Sequence, residues 1–281
     1  MISYSLMPKV IINERLAEKK HTINEFPKNC TAIDVVIPTR DFVPETLLKS
    51  VKENIPVNKL IIVTKEDDKG QGIGVARQMG LEKVTTDFYA SIDSDTLEIP
   101  RNWFGRLIRH FNDPSVAVAS GAPIFGAGIA PLESYYRFLY NRSRSALGGG
   151  FSAVIVRTKV IRKYGYPKAR SGEDLILHKM LSRDGFRWVL DPTVEIFQPR
   201  GPLEELRKML WWSQGSVYAG RSPLRALYKM LLGVYEGVFY GMRVHPILFV
   251  FLPLRELVWS IGFLSSYKRI RLAEPDRIYR V

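Results

Sequence analysis

Asp87-Phe88-Tyr89-Ala90-Ser91-Ile92-Asp93-Ser94-Asp95 is the stretch whose reading decides the fold. Phe88–Ile92 is a short apolar run rich in β-formers, and it ends at two carboxylates. Upstream, Ile33–Ile37 is an apolar run stopped by Pro38, and Lys59–Val63 is another; downstream, Val116–Ala119 is a candidate fourth. Helical spacing fills the gaps between them. Glu45–Asn54 places Leu47, Leu48 and Val51 on one face. Gly74–Lys83 places Val75 and Met79 on another, with Ala76 and the stem of Lys83 beside them. Strands alternating with helices predict βαβ units and a largely parallel sheet. Ligands of such sheets bind beyond the carboxyl ends of the strands. Pro38-Thr39-Arg40-Asp41, Thr64–Asp68 and Asp93-Ser94-Asp95 all fall there.

Further along, Gly148-Gly149-Gly150 opens a new section, where the backbone either turns or passes close to something. Phe151–Val156 then reads as a strand and Lys159–Tyr164 as a helix. Glu173–Arg183 reads as a helix with Leu177 and Leu181 on one side, followed by two short strands, Arg187–Leu190 and Val194–Phe197. After Pro202 the character changes: Leu203–Ala219 and Pro223–Met242 read as helices. Val244–Tyr267 is strongly apolar but broken by Arg255-Glu256 into two blocks of 11 residues. A spanning helix needs about 20 apolar residues, so neither block spans alone. Pro246 and Pro253 argue against one straight helix. The expected division is a domain over 1–200 and a helical region over 201–281.

The 281 residues are 46% hydrophobic and 25% charged, which is ordinary globular composition and excludes global disorder. Cys30 is the one cysteine, so no intrachain disulfide and no zinc cluster is available. The start of the chain has no apolar core ending in small residues, and an intracellular protein without a signal peptide is expected. Net charge is +13, unevenly spread: 13 of the 41 Lys and Arg but only 6 of the 28 Asp and Glu fall from Pro199 onward. A basic, aromatic-rich tail suggests an anionic partner: membrane lipid, nucleic acid or a phosphorylated substrate.

Four constellations bear on chemistry. On an extended strand end, Asp93 and Asp95 face the same way and make a hard anionic pocket suited to Mg²⁺ or Mn²⁺. The same residue types also cap helices. Gly70-Gln71-Gly72-Ile73-Gly74 invites a dinucleotide-binding reading, but the third glycine slot holds Val75 or Arg77 depending on the starting residue. A loop with a helix start fits better. Glu173-Asp174 opens a helix, where the dipole favours acids and where a general base could face a cleft. In Leu206–Trp212, Arg207 and Lys208 are either solvated or phosphate contacts, and Trp211 and Trp212 either stack on a sugar or pack in a core.

Taken in order, the pieces resemble family 2 glycosyltransferases. The matching residues are Val35-Val36-Ile37-Pro38-Thr39, Gly74-Val75-Ala76-Arg77-Gln78-Met79-Gly80, Asp87–Asp95 with Pro100, Gly148–Arg157, Gly172-Glu173-Asp174, Gly185-Phe186 and Asp191-Pro192. They extend over roughly residues 33–198. The resemblance implies an α/β GT-A fold, a Rossmann-like mixed, mainly parallel sheet flanked by helices. It implies a nucleotide-sugar donor contacted by Pro38, Thr39, Asp41, Arg77 and Asp93, and Mg²⁺ or Mn²⁺ held by Asp93 and above all Asp95. Asp174, with Glu173 beside it, is then the base that deprotonates an acceptor, and the configuration inverts. Gly149, Arg207, Trp211 and Trp212 become candidates for the acceptor or the diphosphate. Two positions depart from the family. Asp67 or Asp68 stands where an Asp-Asp-Gly-Ser element reads the base, and Gln198 sits near the slot of a metal-binding His.

The tail resembles that of membrane-associated members, and a helix pair lying in the headgroup region is expected rather than a span. The expected protein is therefore an inverting glycosyltransferase, peripheral or monotopic at the cytoplasmic face of the cell membrane, acting on a lipid-linked or other membrane-proximal acceptor. The rival reading is a soluble enzyme acting on a saccharide, with the tail as an oligomerisation element. Nucleic acid is not an expected partner, because no recognised binding motif accompanies the charge.

Overall fold

Ile33, Val35 and Ile37 bury on one side of the sheet and Val36 on the other, so a strand that is apolar throughout must be covered on both faces. The computed structural model describes residues 10–13, 32–64, 72–126, 128–142, 150–273 and 278–279. Cys30, Asp67, Asp68, Gly70, Gln71, Gly148 and Gly149 lie outside them.

The strands are β1 (Val10–Asn13), β2 (Ile33–Thr39), β3 (Val57–Thr64), β4 (Phe88–Ile92), β5 (Val116–Phe125), β6 (Ala153–Arg157) and β7 (Arg187–Gln198). They form one sheet in the order β1-β3-β2-β4-β6-β5-β7. β2 pairs in parallel with β3 and β4, and β5 with β7; β6 runs antiparallel between β4 and β5, and β1 antiparallel to β3. The sheet is thus mixed and mostly unidirectional. The helices are α1 (Glu45–Asn54), α2 (Ile73–Lys83), α3 (Trp103–Ile108), α4 (Ala130–Arg142), α5 (Thr158–Tyr164), α6 (Glu173–Arg183), α7 (Pro202–Tyr218), α8 (Leu224–Arg243) and α9 (Leu248–Ala273). Side chains of α1 and α3 cover one face of the sheet, and those of α2, α5 and α6 cover the other.

Several boundaries differ from the sequence expectation. β2 does not stop at Pro38 but runs through it to Thr39. Its ladder to β4 has already ended at Val36, so the missing N–H of Pro38 removes nothing on that side. The two expected strands 187–190 and 194–197 are one strand, with an irregularity opposite Gly121/Ala122. The buried face of α2 carries Gly74, Ala76, Arg77, Gly80 and Leu81, while Val75 and Met79 are only half-buried. Small residues decide that face, since a Cβ at Gly80 would come within 2.3 Å of Val36 Cγ1. The helix therefore lies tight on β2.

The expected break in the C-terminal apolar stretch is absent. α9 is one 26-residue helix with Pro253 inside it. Proline there removes one helical hydrogen bond, and packing along the rest of the helix offsets that loss. Gly233, Gly237 and Gly241 recur every fourth residue on α8 and are buried against α9. A Cβ at these positions would meet Glu256, Pro253 and Phe249 at 2.7, 2.8 and 2.6 Å. Arg255 and Glu256 do not face outward: they are 8% and 1% exposed and point into the protein. Arg255 Nη2 donates to Glu256 Oε1 at 2.7 Å and to the Tyr135 hydroxyl at 3.3 Å, and Lys229 Nζ lies 2.9 Å from Glu256 Oε2. These charges are compensated by protein partners.

Asp34 is a fully buried carboxylate at the start of β2. It accepts from Asn58 Nδ2 at 2.8 Å, Thr85 N at 2.5 Å, Thr85 Oγ1 at 3.0 Å and Thr86 N at 3.3 Å. It thereby fastens the loop before β4 to the sheet. Asp34→Ala strands these donors and is expected to lower the unfolding free energy by about 2–3 kcal/mol in urea titrations. A loss below about 0.5 kcal/mol, the range of an unremarkable surface change, would contradict that role.

Candidate active site

The carboxyl ends of β2 and β4, the starts of α2 and α6, the end of β7 and one side of α7 enclose a pocket of about 1000 Å³. Asp93 and Asp95 reach it by a route other than the expected extended strand. β4 ends at Ile92, and a turn follows in which Thr96 N donates to Asp93 O at 3.0 Å. Asp93 N and Thr96 Oγ1 both donate to Ser152 O at 2.9 Å, and Leu97 N donates to Phe197 O at 2.9 Å. The turn is therefore pinned to the start of β6 and the end of β7. Its two carboxylates line the pocket with side chains 26% and 42% exposed.

Arg77, expected at the donor, is a wall residue 3% exposed. Its Nη2 donates to Asp93 Oδ1 at 2.5 Å, and its Nη1 is bonded to Glu173 Oε1. Its guanidinium lies 4.5 Å from the Phe151 ring centroid. Burial pushes the Glu173 carboxyl up to about 7, against the pull of Arg77. Burial likewise raises Asp93, with Arg77 opposing and the nearby Asp95 charge adding to the rise.

The two candidate bases are separated by this arrangement. Glu173 is 4% exposed and tied to Arg77. Asp174 is half-buried on the pocket wall, accepts from Leu175 N at 2.7 Å, and sits across from Gly150. The helix start that presents it depends on a close crossing. Gly172 has φ +72°, and a Cβ there would lie 2.6 Å from Gly215 Cα on α7. Backbone meets backbone, which fixes Asp174 relative to α7.

Pro38, Thr39 and Arg40 line the pocket, and the Thr39 hydroxyl closes the turn by donating to Phe42 O at 2.8 Å. Asp41 is exposed and is not part of the lining. Gly149 lies outside the described residues. Arg207 and Trp211 are exposed on the lining face of α7, while Trp212 is half-buried, 5.5 Å from Phe125 between ring centroids. Sequence reasoning missed two groups. α4 brings Tyr135, Tyr136 and Tyr140 to the pocket, a helix legible in the spacing of Leu132, Tyr136 and Tyr140. Arg200, beyond the end of β7, falls at the same kind of strand-end position as the two aspartates.

The donor set can be tested against a divalent cation. Among the described residues no three His, Cys, Asp or Glu side chains converge on a common point. Two carboxylates are the usual protein share for Mg²⁺ or Mn²⁺ bound together with phosphate and water. The residues therefore fit a cation that arrives with a diphosphate, at Asp93 and Asp95, rather than one caged by protein alone.

Residues 35–162 match the family model described as glycosyl transferase family 2. No curated protein matches the chain. Among solved structures, it is similar to the mannosyltransferase PcManGT from Pyrobaculum calidifontis in complex with GDP-Man and Mn²⁺, at 16% identity and a TM-score of 0.54. That match covers 94% of this chain and 87% of that one. It also matches S. aureus TarS (14% identity, TM-score 0.44, 85% and 91% covered). Glucosyl-3-phosphoglycerate synthase from Mycobacterium tuberculosis, in complex with Mn²⁺, UDP and phosphoglyceric acid, matches at 17% identity, TM-score 0.44, with 63% and 74% covered. At 16% identity the first likeness is one of fold alone. The acidic turn at the end of β4 falls inside the segment 35–162 that matches the glycosyl transferase family 2 model, and the sheet around it is GT-A-like.

Proposed function

We propose that the enzyme transfers a sugar, with inversion, from a nucleoside diphosphate to a membrane-proximal acceptor such as a lipid-linked one. The observation that carries this reading is that Asp93, Asp95 and Asp174 line one pocket together with the basic side chains of Arg200, Arg207 and Lys208. Pro38, Thr39 and Arg40 take the nucleoside end, and the diphosphate lies towards Asp95 and α7. Asp93 and Asp95 would hold a divalent cation brought in with the donor, which would supply positive charge for the departing diphosphate. Asp174 accepts the proton of the acceptor hydroxyl. The freed oxygen bonds to the anomeric carbon from the face opposite the diphosphate. The bond to the diphosphate breaks, its electron pair leaves with the nucleoside diphosphate, and the configuration inverts. Glu173 has no part in proton transfer; with Arg77 it holds Asp93 in place.

The exposed face of the C-terminal helices supports the membrane-proximal part of the reading. Among the described residues, all but five of the exposed large hydrophobic side chains lie between Leu224 and Leu272. Apolar patches of that extent on a monomer mark interaction surfaces. α9 is the one described helix long and apolar enough to cross a membrane by length and composition. Its inner side is occupied by Arg255, Glu256 and the core around Trp259, so the pair lies half-immersed rather than spanning. Residues 201–281 then form the region that sets the pocket against the bilayer.

Asp174→Asn is expected to leave nucleotide binding unchanged in calorimetry and to cut transfer by about 10²-fold or more. Retained turnover would remove Asp174 as the base. The double variant Leu231→Glu/Tyr235→Glu is expected to lose flotation with anionic vesicles while keeping its melting temperature. If wild type and variant both stay with the soluble fraction, the membrane reading fails, and a change in oligomeric state between them would give this face to contacts between copies of the chain.

A further inference from the structure

Both carboxylate oxygens of Asp95 are engaged by the protein itself. Oδ1 accepts from Gln198 Nε2 at 2.7 Å, Oδ2 accepts from Arg200 Nη2 at 2.9 Å, and Lys208 Nζ lies 3.7 Å from Oδ2. Gln198 adds no charge here. Its Oε1 accepts from Arg200 Nη2 at 2.8 Å, so the amide steers Arg200 towards Asp95. The Arg200 side chain is 5% exposed, and its guanidinium lies 4.5 Å from the Phe125 ring centroid and 5.3 Å from that of Trp212. Its Nε and Nη1 are buried without a hydrogen-bond partner among the described residues.

Charged donors buried without acceptors cost free energy, and native proteins seldom leave them so unless a bound ion or water completes the set. Guanidinium is the side chain best shaped for phosphate oxygens, with several donors in a fixed plane. Flanking aromatic rings lower the local dielectric and strengthen its field at Asp95. Arg200 therefore already supplies, where the diphosphate is expected, the kind of charge that a metal ion supplies to a leaving diphosphate.

We propose that Arg200, with Lys208 beside it, is a diphosphate-binding residue, and that it carries enough of the charge neutralisation for the enzyme to hold a nucleoside diphosphate without a metal ion. The inference rests on the glycosyltransferase reading and specifies which groups meet its diphosphate. The metal requirement becomes graded rather than absolute. Asp95 and Gln198 set the position of Arg200, and phosphate oxygens complete its donor set.

Calorimetric titration of the full chain with UDP and with GDP, in EDTA and in Mn²⁺, tests it. The wild type is expected to bind one of them in EDTA with affinity within about tenfold of that in Mn²⁺. Arg200→Gln should weaken binding in EDTA by about tenfold or more, and by less when Mn²⁺ is present. UMP and GMP should distinguish wild type from variant much less than the diphosphates do. Arg200→Lys should recover part of the loss. Lys208→Gln, at a partly exposed position, serves if Arg200→Gln does not fold, and is expected to lose about threefold in EDTA. Diphosphate binding that depends wholly on Mn²⁺ in the wild type, or equal binding by wild type and variants in EDTA, overturns the proposal while leaving the transferase reading standing. If neither nucleotide binds under any condition, both readings fall.

Discussion

The buried guanidinium of Arg77 is the constraint around which the site is arranged. It comes from α2, and it joins Asp93 from the turn after β4 to Glu173 at the start of α6. Two carboxylates buried this close repel each other, and burial disfavours the charge on each. Removing the cation between them would leave uncompensated charge in the wall, a change worth roughly 3–5 kcal/mol for buried pairs. The bridge also explains how the acids divide their work. Glu173 is held in the wall and Asp93 is tied at the pocket edge, while Asp174 and Asp95, one and two residues further on, reach into the cavity. One interaction thus bears on all three acids that the proposed chemistry uses, on Asp93 directly and on Asp95 and Asp174 through their chain neighbours.

Around that bridge, close backbone contacts replace side-chain filling. α2 lies on β2 through Gly80, and α7 crosses the Gly172 loop through Gly215. α8 meets α9 through three glycines in succession. The result is a continuous body in which α7 serves both the acidic pocket and the C-terminal helices. Arg255, Glu256, Lys229 and Trp259 line the same pocket as the acidic turn, from the side nearer the apolar surface. An acceptor emerging from a bilayer against that surface would meet this end first, which supports the proposed membrane-proximal orientation.

Periodicity made much of this fold legible. α1, β4 and α6 have the bounds that their apolar spacing predicts, because each buries one regular face or both faces of a short run. The order of motifs pointed to the family that the match over 35–162 supports. Most of the buried face of α2 was not legible, because two glycines and a cation bury there beside Ala76 and Leu81, and hydrophobic spacing is blind to glycine and to a buried cation. Arg77 reads as a donor contact until its partners, 16 and 96 residues away in the chain, are placed beside it. Arg255 and Glu256 read as interruptions for the same reason: their compensating groups come from α8 and α4. Pro253 reads as a break because local rules do not count the packing along a long helix. What escaped the sequence is in each case a long-range pairing of polar groups or a close approach without side chains.

The central claim is that the acidic turn, Arg200 and α7 form the seat of a donor diphosphate. The most direct measurement is a crystal structure of the full chain grown with a nucleoside diphosphate and Mn²⁺, with an anomalous difference map for the metal. The account predicts phosphate density between Asp95 and the Arg200–Lys208 pair, the nucleoside towards Pro38–Arg40, and any manganese peak in contact with Asp93 or Asp95. Nucleotide bound elsewhere on the molecule, with Asp95 still bonded to Gln198 and Arg200 and no phosphate beside them, would contradict it.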